Sequence, residues 1–489
     1  MTPFDEALRG VDRLFEQRST ETRAPSASYG IFTPGGLVHT GSTGAAAGSS
    51  PTADTIYRIA SCTKSFTATV VLALRDAGQV GLDDAITRYI PAFEAVRLPT
   101  ADSPVPTIRM LLTMSAGFPT DDPWGDRQES ITDDELDALL GTGLRFDSIP
   151  GTTFAYSNLG YALLGRIISV VAERPYRDVV TDTILRPLGL TSTGFVRPDD
   201  DSRLAIGHRR LDDDWQPLPF SGPGGFSSIG GLFSTVTDLS RWARWLASAF
   251  DGAARHPGVD DAARSVSSAD HDGILSRSSR REMQQLQRFV PSVSASTGSP
   301  TGYGFGLFVE EVPGLGPVVS HSGGYPGFSA HMRWHAASGI GIIAFENATY
   351  AQVSVPAAAT LHALLSDVGA VPAAEVWPET RVAQAAVDAA VRGGSPLDPA
   401  LVSPNVELDI PFTHRRRVWA EAIAAVGELE PASLPDRLTL DAEAGESSQA
   451  PSHLRWRIVG DRGALRVEIR LTPEGTPRIQ TLTVRPEHA

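Results

Sequence analysis

Lysine is almost absent from this chain. Of the 42 lysines and arginines in its 489 residues, one is lysine, Lys64, in the stretch RIASCTKSF at 58–66. A surface ion pair, a helix C-terminal charge or a carboxylate clamp accepts Arg as well or better, but Arg stays protonated. A partly buried lysine can release its proton and serve as a base. Cysteine is as scarce: Cys62 alone excludes an intrachain disulfide and points to a reducing compartment. Long apolar runs are missing too, since no stretch approaches a membrane span and the opening MTPFDEALRGVDRLFEQRST carries acids where a signal peptide carries its apolar core. The expectation is a cytoplasmic protein with no membrane partner. A net charge of −15 disfavours nucleic acid and anionic lipid as partners and mainly implies solubility.

What the chain does contain is a folded, loop-rich composition, 41% hydrophobic with 46 Gly and 36 Pro, long enough for two or three units. Residues 27–44 read as a β-hairpin around Pro-Gly-Gly. SFTATVVLALRDAGQ, apolar on nearly every side and stopped by Gly78, reads as a helix buried in the middle of a domain. From about 80 to 300 the pattern is helices and Gly/Pro loops, with 252–300 a polar surface loop holding one short helix near SSRREMQQLQRF. Strands return at GPVVSHSG and in 328–347, followed by a helix near 352–366. The expected architecture of 1–370 is therefore α/β (α+β): an antiparallel sheet built from N- and C-terminal strands, flanked by helices, with an inserted helical lobe at about 80–300 and a cleft where the two meet. GAVPAAEVWP reads as a linker. The rest, 371–489, reads as a small α+β domain of two helices and three alternating strands, its HRRR run a solvated helix face.

The chemistry gathers at three places. Ser61 and Lys64, three apart on a helix, share a face, and if Ser61 opens that helix its N–H joins the donors that can stabilise an oxyanion. A neutral amine beside a serine hydroxyl can take its proton. Ser-x-x-Lys alone also fits a serine cap with an exposed lysine nearby, but the absence of every other lysine argues against that. AYSNLGYALLG places Tyr156, Ser157 and Asn158 just before a helix, and VVSHSGGYPGF places His321, Ser322, Gly323 and Gly324 at a strand end where glycines let a ligand approach.

Taken in order, Ser-x-x-Lys, Tyr-x-Asn and His-x-Gly resemble the three motifs of the serine β-lactamase and penicillin-binding protein superfamily, nearest its class C-like branch with D-aminopeptidases, D,D-carboxypeptidases and esterases. LLTMSAGF, PGTTFAYSNLGYALLG and GGLFSTVTDLSRWARW carry the same likeness, over about 5–367. The resemblance implies Ser61 as an acyl-forming nucleophile, with Lys64 and Tyr156 sharing the proton traffic and either of them the base. It implies His321 in the third catalytic motif, and Asn158 bonded to Lys64 and to a substrate carbonyl. Ser322, Gly323 and Gly324 would bind substrate, with the N–H groups of Ser61 and Gly324 forming the oxyanion hole. Trp124 either shapes the acyl pocket or belongs to a simply packed loop. Where the family commonly has Lys-Thr-Gly, this chain reads His321-Ser322-Gly323. An imidazole is mostly neutral at pH 7, so a required substrate carboxylate is not expected.

Cys62 reads as a small buried hydrophobe, and His208, His331 and His335 lack metal-ligand spacing, so no metal and no cofactor are expected. The expected function is a serine hydrolase acting on an ester, amide or peptide, a small molecule or a D-amino acid peptide. The alternatives are an acyltransferase or peptide-cyclising thioesterase using the same acyl-enzyme, and a β-lactam-acylated penicillin-binding or sensor protein. Oligomeric state is not legible.

Overall fold

The computed structural model describes residues 3–487 apart from 22, 47, 198–201, 252–271, 292–297, 369–374, 394–395, 432–437, 439, 441–444 and 449. The chain forms two compact units, Met1–Ala370 and Val371–Ala489. Among the described residues no helix is long and apolar enough to cross a membrane.

In the first unit the helices are α1 (Pro3–Thr20), α2 (Thr63–Asp76), α3 (Ile108–Leu112), α4 (Asp133–Gly141), α5 (Asn158–Ala172), α6 (Tyr176–Val180), α7 (Ser227–Gly230), α8 (Val236–Ala247), α9 (Arg277–Met283) and α10 (Ser354–Val368). Six strands precede the polar stretch: β1 (Ser26–Thr33), β2 (Gly36–Gly44), β3 (Tyr57–Arg58), β4 (His208–Leu211), β5 (Asp214–Pro217) and β6 (Phe233–Ser234). Six follow it: β7 (Arg288–Phe289), β8 (Thr301–Tyr303), β9 (Phe308–Val312), β10 (Gly316–Tyr325), β11 (Phe328–His335) and β12 (Gly341–Glu346). An eight-stranded antiparallel sheet runs β2-β1-β12-β11-β10-β9-β8-β7, so β1 and β12, from opposite ends of the unit, lie side by side. This is the mixed sheet-and-helix class expected from the sequence.

Each sheet face has its own apolar filling, because successive side chains on a strand alternate between faces. Val319, Met332, Trp334 and Phe345 point to the helical lobe, while Val318, Ile31, Ile342 and Ala344 meet Val11 and Phe15 of α1 and Leu361 and Leu364 of α10. The sequence reading assigned no element to 3–20, although Leu8, Val11 and Phe15 recur at helical spacing.

Helix α2 is buried along Thr63–Leu72. Its Thr and Val residues are modest helix formers, so burial between α5 and α7 holds it rather than intrinsic propensity. It ends at Gly78, whose φ of +72° suits a residue without Cβ. The expected short helix in the polar stretch is α9. It stops earlier than the motif suggested, because Arg288 and Phe289 pair with β8; 252–271 and 292–297 of that stretch, and 369–374 of the expected linker, lie outside the described residues.

The second unit packs α11 (Pro378–Val391), α12 (Pro404–Asp409) and α13 (Phe412–Val426) on a three-stranded antiparallel sheet, β13 (His453–Gly460), β14 (Gly463–Leu471) and β15 (Ile479–Pro486). Val387, Trp419, Trp456, Val467 and Ile469 form its core. Within HRRR, Arg415 is not simply solvated: its guanidinium donates to the Leu482 carbonyl at 2.7 Å and the Ile410 carbonyl at 2.9 Å.

Candidate active site

Ser61 sits in a 3-10 turn, Ala60–Cys62, that feeds directly into α2 rather than on the α-helix itself. Ala60 adopts a left-handed φ of +46°. The turn is held between β10 and α7. A Cβ on Gly323 would lie 2.2 Å from the Ile59 carbonyl oxygen and 3.0 Å from the Ala60 Cβ, so only glycine lets the strand come this close. β9 accompanies β10 only as far as Ser320; beyond it the Ala60–Cys62 turn takes the place of a strand along the β10 edge that carries Gly323 and Gly324.

Lys64 is fully buried, and its Nζ lies 2.9 Å from Ser61 Oγ, 2.7 Å from Asn158 Oδ1 and 2.9 Å from the Ile229 carbonyl oxygen. The last two atoms can only accept. A neutral amine therefore donates both of its hydrogens to them and turns its lone pair on the Ser61 hydroxyl, the one partner able to donate. Burial brings Lys64 down to about 8, against the opposing pull of the Asp122, Asp126 and Asp121 carboxylates. The amine also lies 5.0 Å from the centroid of the Tyr156 ring. Burial raises the Tyr156 phenol well above its ordinary value, so between these two groups the amine loses its proton first.

Asn158 opens α5 and is completely buried. Its carbonyl end meets Lys64 as expected. Its amide nitrogen is already engaged by Asp122, a partner the sequence reading missed. Asp126, with its carboxyl hydrogen-bonded by the Tyr350 phenol at 2.9 Å, is pushed up to about 6 by burial, with Asp122 adding to the shift. Trp124 stands between Asp122 and Asp126 on the segment covering Asn158. It is 43% exposed and meets Phe226 edge-on at 5.8 Å.

Two residues of the third motif differ from expectation. His321 is 1% exposed and both ring nitrogens are used within the protein. Nδ1 lies 2.6 Å from the Ser322 carbonyl oxygen, which can only accept, so Nδ1 carries the proton and Nε2 receives the Tyr303 hydroxyl at 3.1 Å. Burial, then the nearby Lys64, lowers the imidazole to about 3. It borders the site, 6.2 Å from the Tyr156 ring centroid to centroid, but hands no nitrogen to Ser61. Ser322 turns away altogether. Strand alternation sends its hydroxyl to the opposite sheet face, 2.9 Å from His331 Nδ1, so only its backbone faces the turn. Gly323 and Gly324 stay at the edge, and the Tyr350 ring fills the space where a Gly324 Cβ would stand, 2.6 Å away.

Cys62 is buried, donates to the His321 carbonyl oxygen at 3.3 Å, and is pushed up to about 12 by desolvation, which makes it inert beside the serine. A separate cavity of about 510 Å³ lies at the other end of α2, lined by Val70, Leu74, Val179 and Ile274, and touches none of these groups.

The family model described as Beta-lactamase matches residues 11–367. The D-alanyl-D-alanine-carboxypeptidase/endopeptidase AmpH of Escherichia coli strain K12 is 30% identical over 220 residues, 44% of this chain and 52% of that protein, so the chain spans about half the length of this curated relative. Penicillin-binding protein 4 of Amycolatopsis lactamdurans is 27% identical over 69% of this chain and 84% of its own length. Among solved structures, the octameric penicillin-binding protein homologue from Pyrococcus abyssi superposes with a TM-score of 0.58 at 21% identity, covering 97% of this chain and 99% of that one, which speaks to fold alone. The chain belongs to the Beta-lactamase family, within the serine β-lactamase and penicillin-binding protein superfamily of serine hydrolases.

Proposed function

We propose that this protein hydrolyses amide, peptide or ester bonds through an acyl-enzyme on Ser61. The observation that carries the reading is the buried Lys64 amine, 2.9 Å from Ser61 Oγ with its other two contacts to acceptors only. In the first step the Ser61 proton passes to Lys64 Nζ while Oγ bonds to the substrate carbonyl carbon and the carbonyl π electrons move to oxygen. The N–H groups of Ser61 and Gly324 receive that oxyanion. Collapse restores the carbonyl and breaks the bond to the leaving group, which takes a proton through Tyr156 as Lys64 resupplies it. Water then repeats the sequence on the Ser61 ester and releases the acid. The neutral His321 supports substrates without a required carboxylate, since no fixed cation stands at the third motif. Trp124, exposed beside Asn158, lies where it could shape acyl-group choice.

The test is a panel of short-chain esters, D-amino acid amides, D-Ala-D-Ala peptides and a chromogenic cephalosporin, followed by turnover and intact mass. Esters and amides lacking a carboxylate are expected to turn over to free acid, and Ser61→Ala to abolish both turnover and the mass adduct. Lys64→Arg is expected to keep the fold and lose acylation at least a thousandfold, a loss of about 4 kcal/mol in transition-state stabilisation. Near-wild-type activity in that variant would mean that Lys64 supplies charge only. A lasting adduct without turnover would favour the sensor reading, and an amide or new ester as product would favour acyl transfer.

A further inference from the structure

Two consecutive acids grip Asn158 from different sides. Asp121 accepts from the backbone N–H of Asn158 at 2.6 Å and of Leu159 at 2.8 Å, and from the Ser157 hydroxyl at 3.2 Å, closing the first turn of α5. Asp122 accepts from the side-chain nitrogen of the same asparagine, whose Oδ1 receives Lys64 at 2.7 Å. A primary amide has one accepting and one donating end. Set between an amine and a carboxylate, it satisfies both in one orientation only.

We infer that Asp122 is a positioning residue for the proposed reaction: it fixes the Asn158 amide so that Oδ1 faces Lys64 and holds the amine against Ser61. This rests on the reading of Lys64 as the base. Asp122 has a second effect through its charge. The groups acting on Lys64 are the Asp122, Asp126 and Asp121 carboxylates and the Cys62 thiol, with the Tyr156 and Tyr161 rings and the neutral His321 beside it, and Asp122 is the strongest of the charges favouring the ammonium. Removing that charge lets the amine shed its proton at lower pH, while removing the acceptor frees the amide to turn. Asn158 keeps one amide hydrogen for a substrate carbonyl.

The chain's single lysine makes the test direct. Isotope-labelled lysine, fed during expression, gives one side-chain resonance whose pH titration in the full-length protein reports Lys64 without any turnover. Wild type is expected to titrate near 8. In Asp122→Asn the new amide oxygen still accepts from Asn158 but the charge is gone, so the midpoint falls by about one unit while kcat on p-nitrophenyl acetate stays within about threefold. Asp122→Ala shows the same fall and loses about tenfold in kcat with KM nearly unchanged. A wild-type midpoint in both variants overturns the proposal, as does an Asp122→Ala kcat equal to wild type. Should the wild-type enzyme turn over no substrate, the functional reading fails separately and the titration alone decides this one.

Discussion

Lys64 joins sequence, structure and pH in one residue. Its ammonium is the form that burial disfavours, so its pKa falls from 10.5 to about 8. The folding cost is present below pH 8 and is relieved as pH rises toward 10.5, where the unfolded chain releases the same proton. Reactivity follows the same sign: kcat/KM should rise with pH through a single limb near 8, with no inflection near 6.5, because His321 stays uncharged above about pH 3. A pH–rate profile with a histidine-like limb would contradict this. Asp126 behaves in the opposite sense. Its pKa is raised from 3.8 to about 6, so keeping it ionised costs stability above pH 6 and nothing below about 3.8. Asp126→Asn should therefore stabilise the protein at pH 7 by about 1–3 kcal/mol and lose that advantage below pH 4, as read from thermal midpoints at both pH values.

At the scale of elements, the motifs were legible because each lies on one local structure. The three-residue spacing of Ser61 and Lys64 has meaning only as a helical turn, and the buried pattern of α2 announced that helix. The same logic, applied to strands, would have separated His321 from Ser322: neighbours on a strand face opposite ways, so the pair could not both enter the cleft. Asp121 and Asp122 were not legible. They reach Asn158 only because the segment after α3 folds over the start of α5, 36 residues later, and no local period encodes such a crossing. Trp124 stands out on that segment by its residue type, while the acids beside it look like ordinary solvated carboxylates. Packing makes a further prediction here. Gly323→Ala would drive a methyl group into the Ile59 carbonyl, forcing β10 away from the turn that carries Ser61; on the proposed function, acylation should slow more than a hundredfold and the thermal midpoint should drop. An alanine variant with normal acylation would show that the close approach of strand and turn is dispensable.

At the scale of the molecule, two compact units invite two transitions. Val467 belongs to the second unit's core and Leu163 to the first, and neither cluster shares members with the other. Val467→Ala should lower one calorimetric transition by several degrees and leave the other in place, whereas movement of both would mean that the units unfold as one. The sheet of the first unit has a consequence for how the chain matures. β1 is paired on one side by β2, its immediate successor, and on the other by β12, more than 300 residues downstream. During synthesis the early hairpin must wait, one apolar edge open, until almost the whole first unit has left the ribosome, and such high contact order makes folding slow. The nascent chain thus carries a sticky margin through most of translation. Its expression yield should depend on chaperone supply more than the stability of the finished protein would lead one to expect.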